Sequence, residues 1–423
     1  MKKIISVILV ALMLTVLAVP AFADDAVAIK TAEEFMAMES GKSYYLANDI
    51  DFGGKVFDSY IISGSGFIVD LDGKGFALKN FSFNVENATG DVAMFRQFGG
   101  GTIKNLNIGS KDALIKYTIK DPKDSSSYAM LVASTGKDKE VAVRIENVNI
   151  YADMQLTYTN LDTRLNFGGF IAYARNYEIV SSSMNGQIIV KNESGEATRW
   201  RNVGGFIGSD KETWATGTID GCTNNADITM TGSGKEGRVA GFVPYSGKKA
   251  NIIKNSVNNG TLTLATSAGD GNLAGIMGCS EAAEATIEGC TNNGKLVYDC
   301  TNAEDAKAGT IAAGIIDIVK KGTLTVKNCA NTVEIKTGAG VNSEIIGVVA
   351  EGITATEEGN RTSAEAVVTE PVTEPVTEPV TEPEDTTPAP STGDHSMIIV
   401  ALAAVMALAG AACAIIARRS KEV

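Results

Sequence analysis

Imidazoles, thiolates and paired carboxylates are the groups from which most hydrolytic, metal-dependent and nucleophilic sites are built. This 423-residue chain has one histidine, His395, beside a C-terminal apolar run. His-based triads, His-rich metal sites and imidazole acid–base chemistry are therefore excluded from the remainder. Cys222, Cys279, Cys290, Cys300 and Cys329 precede that run, and Cys413 lies within it. Five thiols argue against a fully paired disulfide framework, and no Cys-x-x-Cys pair exists to begin a four-thiolate zinc site. Fifty Asp and Glu residues guarantee many carboxylate pairs and so single out none. Asp70-x-Asp72-Gly73 is a fragment of a calcium loop and reads as a turn between strands. No catalytic residue, metal ligand or cofactor is expected. The only tryptophans, Trp200 and Trp214, flank a Gly-rich word in expected loops. Exposed indoles stack on sugar faces, so Arg199, Trp200 and Trp214 are the candidate ligand contacts. The competing reading is that both rings cover apolar loop surface. A formal net charge of −13 opposes a nucleic-acid partner, which would need a clustered positive face.

The two ends say where such residues would be presented. Met1-Lys2-Lys3, an apolar stretch Ile4–Val19 and Ala21-Phe22-Ala23 make residues 1–23 a signal peptide, with cleavage before Asp24. Met397–Ala417 is a 21-residue uncharged run followed by Arg418, Arg419 and Lys421. At ~1.5 Å per residue it crosses a ~30 Å hydrocarbon core as a helix, with the basic tail held inside. From Thr369 the chain repeats Thr-Glu-Pro-Val, and six of its nine prolines fall between 371 and 390. Neither a helix nor a central strand can form there, so residues 364–388 read as a disordered, extended, acidic stalk.

Between the ends lies a repeat. Gly168-Gly169-Phe170, Gly204-Gly205-Phe206, Ala240-Gly241-Phe242, Ala274-Gly275-Ile276 and Ala313-Gly314-Ile315 recur. Ala93-Met94-Phe95 and Ala129-Met130-Leu131 extend the series upstream, and Ile346-Gly347-Val348 extends it downstream. A second word stays in phase with the first: Ile103-x-x-Leu106, Ile145-x-x-Val148, Ile179-x-x-Ser182, Ile219-x-x-Cys222, Ile253-x-x-Ser256, Ile287-x-x-Cys290 and Val326-x-x-Cys329. The units hold short alternating β-branched segments separated by Asn-Gly and Asn-Asn turns. Units near 36 residues with two or three strands predict an all-β parallel β-solenoid over 24–363, rather than an antiparallel propeller. Cys222, Cys290 and Cys329 share a position with Ser182 and Ser256, so they are expected inside and unpaired. Asn185, Asn225, Asn259 and Asn293 are expected to form a ladder of turn residues tolerating the left-handed conformation. Thr31-Ala-Glu-Glu34 fits a capping box, which predicts a short helix closing the N-terminal end.

Two resemblances follow. The repeat words, with Tyr44–Asp51 and Leu71–Gly75 upstream, resemble GLUG-type repeats of bacterial surface proteins with pectin-lyase-like β-helix folds. Ala389-Pro390-Ser391-Thr392-Gly393, the apolar run and the basic tail resemble the sortase sorting signal of Gram-positive wall proteins, with Ala389 in place of the usual Leu. That resemblance covers residues 389–423 and implies sortase and peptidoglycan as partners, with cleavage after Thr392. The sequence reading is of a wall-anchored or single-pass surface protein, non-enzymatic, that displays a β-solenoid to extracellular glycans or proteins. A carbohydrate-active enzyme on the same scaffold and a structural spacer are the alternatives.

Overall fold

The computed structural model describes residues 26–366, apart from 124–125, 140, 160–164, 194–200, 211, 233–236, 267–270 and 301–308. Arg199 and Trp200, the stalk beyond 366, the sorting signal Ala389–Gly393 and the run 397–417 lie outside the described residues. Among the described residues no helix is long and apolar enough to cross a membrane.

The protein is all-β, with parallel sheets. Thr31 caps a one-turn helix, Ala32–Met36, its hydroxyl accepting from the Glu34 amide at 3.2 Å. Phe35 packs edge-on to Phe52, 5.8 Å between ring centres. Beyond it, each repeat word registers with the same word one unit on. Ile145 pairs with Ile179, Ile179 with Ile219, Ile219 with Ile253, Ile253 with Ile287 and Ile287 with Val326. Every pairing between named strands is parallel, which excludes the antiparallel meander of a propeller. The alternating burial of strands such as Asp227–Thr231 sends one face into the core, which runs continuously from Ile29 to Ala339. Phe170, Phe206 and Phe242 stack in that core at 4.6 and 4.8 Å. The downstream end of the first word differs from the sequence register: Ile346 pairs with Ile316, so Ile345 rather than Val348 follows Ile315.

Two asparagine ladders run through the stack. The outer one is the expected one, with Asn225, Asn259 and Asn293 each donating to the preceding Asn at 2.9, 2.9 and 3.0 Å. These residues do not take the left-handed conformation. That conformation falls instead on Asn105, Asn147, Ser181, Gly221, Asn255, Gly289 and Asn328, two residues after each Ile or Val of the second word. Each unit turns a corner there, and Asn, Gly and Ser tolerate a positive φ. The inner ladder was not foreseen. Asn224, Asn258, Asn292 and Asn331 are fully buried, and each of the first three donates to the next at 2.7, 2.8 and 2.9 Å. Together with the next unit's glycine carbonyl, which lies closest, it leaves no room for a side chain at the second Gly of the Gly-Gly-Phe word. A Cβ on Gly205 would lie 2.5 Å from Asn224 Oδ1, and one on Gly275 would lie 2.5 Å from Asn292 Cγ.

Cys222, Cys279, Cys290 and Cys329 are buried and form no disulfide. Burial pushes the Cys222 thiol up to about 12 and that of Cys279 to about 11, which suppresses the nucleophilic thiolate.

The ladders differ in burial, so their loss should differ in size. Asn258→Ala strands the Asn224 amide, the Asn292 carbonyl and the Gly260 carbonyl away from water, and should destabilise the protein by about 2–4 kcal/mol. Asn259→Ala leaves groups that water can reach and should cost about 1 kcal/mol or less. Denaturant titration of both variants checks the ordering, and equal losses would show that the inner ladder is not special.

Candidate functional site

Trp214, the one candidate contact within the described residues, sits in the turn Glu212–Ala215 between strands Ile207–Ser209 and Thr216–Asp220. Its ring is partly exposed, with Lys139 Nζ 5.8 Å from the ring centre. The turn is tied down on both sides. Thr216 N donates to Asn176 Oδ1 at 2.9 Å, and Asn176 Nδ2 donates to the Lys139 carbonyl at 2.7 Å. Arg201, which follows Trp200 in sequence, turns inward, 2% exposed, and donates to Tyr158 Oη at 2.7 Å.

The same turn carries Glu212, which the sequence reading did not single out. Tyr173 Oη donates to Glu212 Oε1 at 2.9 Å, and Arg175 Nε lies 3.8 Å from the same oxygen. The Arg175 guanidinium lies 4.9 Å from the centre of the Tyr173 ring. Guanidinium on the ring and carboxylate at the hydroxyl hold the tyrosine in one orientation while it stays partly exposed. Further along the stack the arrangement recurs. Arg238 lies 4.8 Å from the centre of the partly exposed Tyr245 ring, and Glu281 lies close enough to raise the Tyr245 hydroxyl's value while it pairs with Lys321 at 3.2 Å. Tyr173 pairs with Ser209, and the Asp210 amide bonds the Tyr245 carbonyl, so the two rings occupy one row with Ser209 between them. No residue pattern marks this in sequence: Arg and Tyr are two apart in one unit and seven apart in the other.

Charged side chains lie buried around Tyr177, four residues on from the first ring. Asp210 is fully buried. Its Oδ2 accepts from Tyr177 Oη at 3.1 Å and from Asn251 Nδ2 at 2.5 Å, while Oδ1 has no hydrogen bond. Lys248, 1% exposed, donates to the Arg175 carbonyl at 2.5 Å and lies over the Tyr177 ring at 4.8 Å. Burial raises the Asp210 carboxyl to about 7, against the pull of Lys248, and lowers the Lys248 ammonium to about 8. Gly217 makes room for Tyr177, since a Cβ there would meet its ring at 2.5 Å. Asp317, also fully buried with neither oxygen hydrogen-bonded, is pushed well above the carboxylate range by burial.

Among the described residues no group of three His, Cys, Asp or Glu side chains could hold a metal ion. Asp70 and Asp72 are both engaged. Asp70 accepts from the Thr102 amide at 2.9 Å, and Asp72 accepts from Asn105 at 3.0 Å and lies 3.4 Å from Lys74. The arrangement offers oriented aromatic rings, each with a carboxylate at its edge. That chemistry suits recognition of a polyhydroxylated surface.

The buried pair sets a pH dependence of stability. Asp210 has a raised folded-state value, so its contribution is fully present below ~4 and is lost as pH rises through about 7. Lys248 has a depressed one, so its contribution is present above ~10.4 and is lost as pH falls through about 8. Melting temperature should therefore pass through a shallow minimum between the two values. Asp210→Asn should flatten the acid side and Lys248→Met the alkaline side. A profile unchanged by both substitutions would show that neither group titrates in this range.

No protein-family model and no curated protein matches the chain. Among solved structures it is similar to a proposed immunoglobulin A1 protease from Bacteroides ovatus, with 15% identity, a TM-score of 0.41, 81% of this chain covered and 85% of that one. It is also similar to a structure named IgA1 Protease, with 16% identity, a TM-score of 0.43, 86% of this chain covered and 25% of that one. The protease names stand against the sequence reading of a non-enzymatic protein, and that reading is withdrawn. At these TM-scores the likeness assigns no activity to this chain.

Proposed function

We propose that this is a cell-surface interaction protein: a parallel β-solenoid over residues 24–363, raised on the stalk 364–388 and presented to extracellular glycans. The observation that carries the reading is the partly exposed Tyr173 ring, held by Arg175 and by Glu212, whose turn also carries Trp214. A ring whose hydroxyl and one face are already engaged keeps its remaining apolar surface for a partner, and fixed aromatic rings bind without losing rotamer freedom. The parallel pairing of equivalent strands supports the solenoid, because it places each unit's side chains directly over those of the previous unit. The display reading rests on the ends of the sequence. A sortase thiolate attacks the Thr392 carbonyl, Gly393 leaves with the apolar run, and a peptidoglycan amine resolves the acyl intermediate.

Glycan binding is tested by probing a glycan array with the secreted protein, scoring bound sugars and any new reducing ends. Trp214→Ala and Tyr173→Ala should each weaken binding about tenfold or more, equivalent to ~1.4 kcal/mol. Unchanged binding in both variants would reject this face as the site. Display is tested separately by muramidase digestion of isolated walls. A peptide ending at Thr392 and joined to a wall fragment is expected. Intact peptides spanning Met397–Val423, found in the membrane fraction alone, would reject sortase processing.

A further inference from the structure

The proposal of a glycan-binding face leaves open the shape of the glycan, and the second Arg–Tyr–Glu unit addresses it. Tyr173 and Tyr245 lie on one row of the parallel stack, with the small, buried Ser209 in the unit between them. Neighbouring parallel strands are ~4.8 Å apart, so the two rings are spaced at ~9.6 Å along the stack. The two units repeat the same chemistry. Arg175 lies 4.9 Å from the Tyr173 ring centre and Arg238 lies 4.8 Å from that of Tyr245, and a glutamate accompanies each ring, Glu212 bonded to the Tyr173 hydroxyl and Glu281 acting on Tyr245 through its charge. In the unit beyond Tyr245 the row carries Cys279, fully buried, so the aromatic pattern stops after the second ring.

Resting on the reading of this face as a glycan site, we infer that Tyr173 and Tyr245 are two subsites for one extended, uncharged, β-1,4-linked glycan lying along the stack. The spacing selects the linkage. In an extended β-1,4-linked chain successive sugars are turned over, so the same ring face returns at every second sugar, at close to the interval between the tyrosines. Two identical rings two units apart meet identical sugar faces, whereas a coiled α-linked chain departs from a straight row. The charge pattern selects a neutral chain. The Arg175 guanidinium is engaged by Glu212 and Tyr173, and that of Arg238 by Tyr245 and Asn202 at 3.5 Å, so neither is left to recruit a uronate or sulfate. Glu212 stands at the rim of the first ring, and Glu281 beside the second is balanced by Lys321 at 3.2 Å, so neither ring carries a surplus of positive charge to draw an acidic polymer.

The test is calorimetric titration of the full secreted protein with chito- and cello-oligosaccharides of two and six sugars, with a polyuronate of matched length for comparison. One neutral series should bind, and its hexasaccharide should bind about tenfold or more tighter than its disaccharide, since the second subsite is engaged without a second loss of translational freedom. Tyr245→Ala should remove that gain, so that the hexasaccharide binds no tighter than the disaccharide, while Tyr245→Phe, which keeps the ring, should retain most of it. Circular dichroism establishes that the variants fold. A length gain that survives Tyr245→Ala would overturn the two-subsite inference and leave the Tyr173 face standing. Tighter binding of the polyuronate would overturn the neutral class alone. If neither neutral series binds but another glycan does, weakened by Tyr173→Ala, the linkage inference falls and the face stands. Binding of no glycan at all would remove the underlying reading as well.

Discussion

A side-chain amide buried without partners costs several kcal/mol, and this protein places four of them in its interior one above another. Asn224, Asn258, Asn292 and Asn331 satisfy that demand only by stacking in register. Each of the first three donates once to the next Asn and once to a backbone carbonyl two residues ahead in its own unit. Glu344 receives the last amide at 3.2 Å, where the series ends. A slip of one residue in any unit would send its Asn to the opposite face and strand both neighbours, so the ladder enforces register. The amide also packs against bare backbone at Gly205 and Gly275, where the next unit's glycine carbonyl, 2.3 and 2.1 Å from a would-be Cβ, already excludes a side chain.

With register held in this way, the interior tolerates groups that would otherwise be expensive. Arg201, Asp210, Arg238, Lys248 and Asp317 are all nearly or fully buried. Most are offset by partners that the stacking supplies: Tyr158 for Arg201, Tyr177 and Asn251 for Asp210, and the Arg175 carbonyl for Lys248. Asp317 lacks a hydrogen bond, and burial drives it toward the neutral form instead. The cluster around Tyr177 joins stability to the surface. Lys248 bonds the backbone of Arg175, whose guanidinium seats the exposed ring. A partner meeting Tyr173 thus meets a ring already fixed from below, so that little ordering entropy remains to be lost.

The second word was legible in sequence because its isoleucines recur at a nearly constant interval and take one interior row. The all-β, parallel character followed from short β-branched segments in units too long for hairpins. The helix Ala32–Met36 was legible from Thr31 and Glu34, since a capping box is a local interaction. The inner ladder was missed although its residues stand beside the outer one: in Asn224-Asn225 and Asn258-Asn259, alternation along the strand buries one amide and exposes the other. The assignment of the left-handed corner to Asn225 and Asn259 failed for a related reason. That corner precedes the Cys or Ser of the second word, where Asn, Gly and Ser interchange and leave no single letter to follow.

What the sequence determined by itself is what depends on neighbouring residues or on a fixed period: signal-like and apolar ends, a proline-rich segment, repeating units, buried small thiols and the N-terminal cap. What only the tertiary structure decided is which polar residues share a surface. Arg175 and Tyr173 are two apart, Arg238 and Tyr245 seven apart, and Glu212 and Glu281 come from other units entirely. Asp210 meets Tyr177 from 33 residues away and Asn251 from 41. Unit lengths vary through insertions at the turns, so sequence separation between such partners carries no constant signal. The stacking of parallel strands restores what the insertions hide, because hydrogen-bond spacing along the stack is fixed by the backbone whatever the length of the loop between.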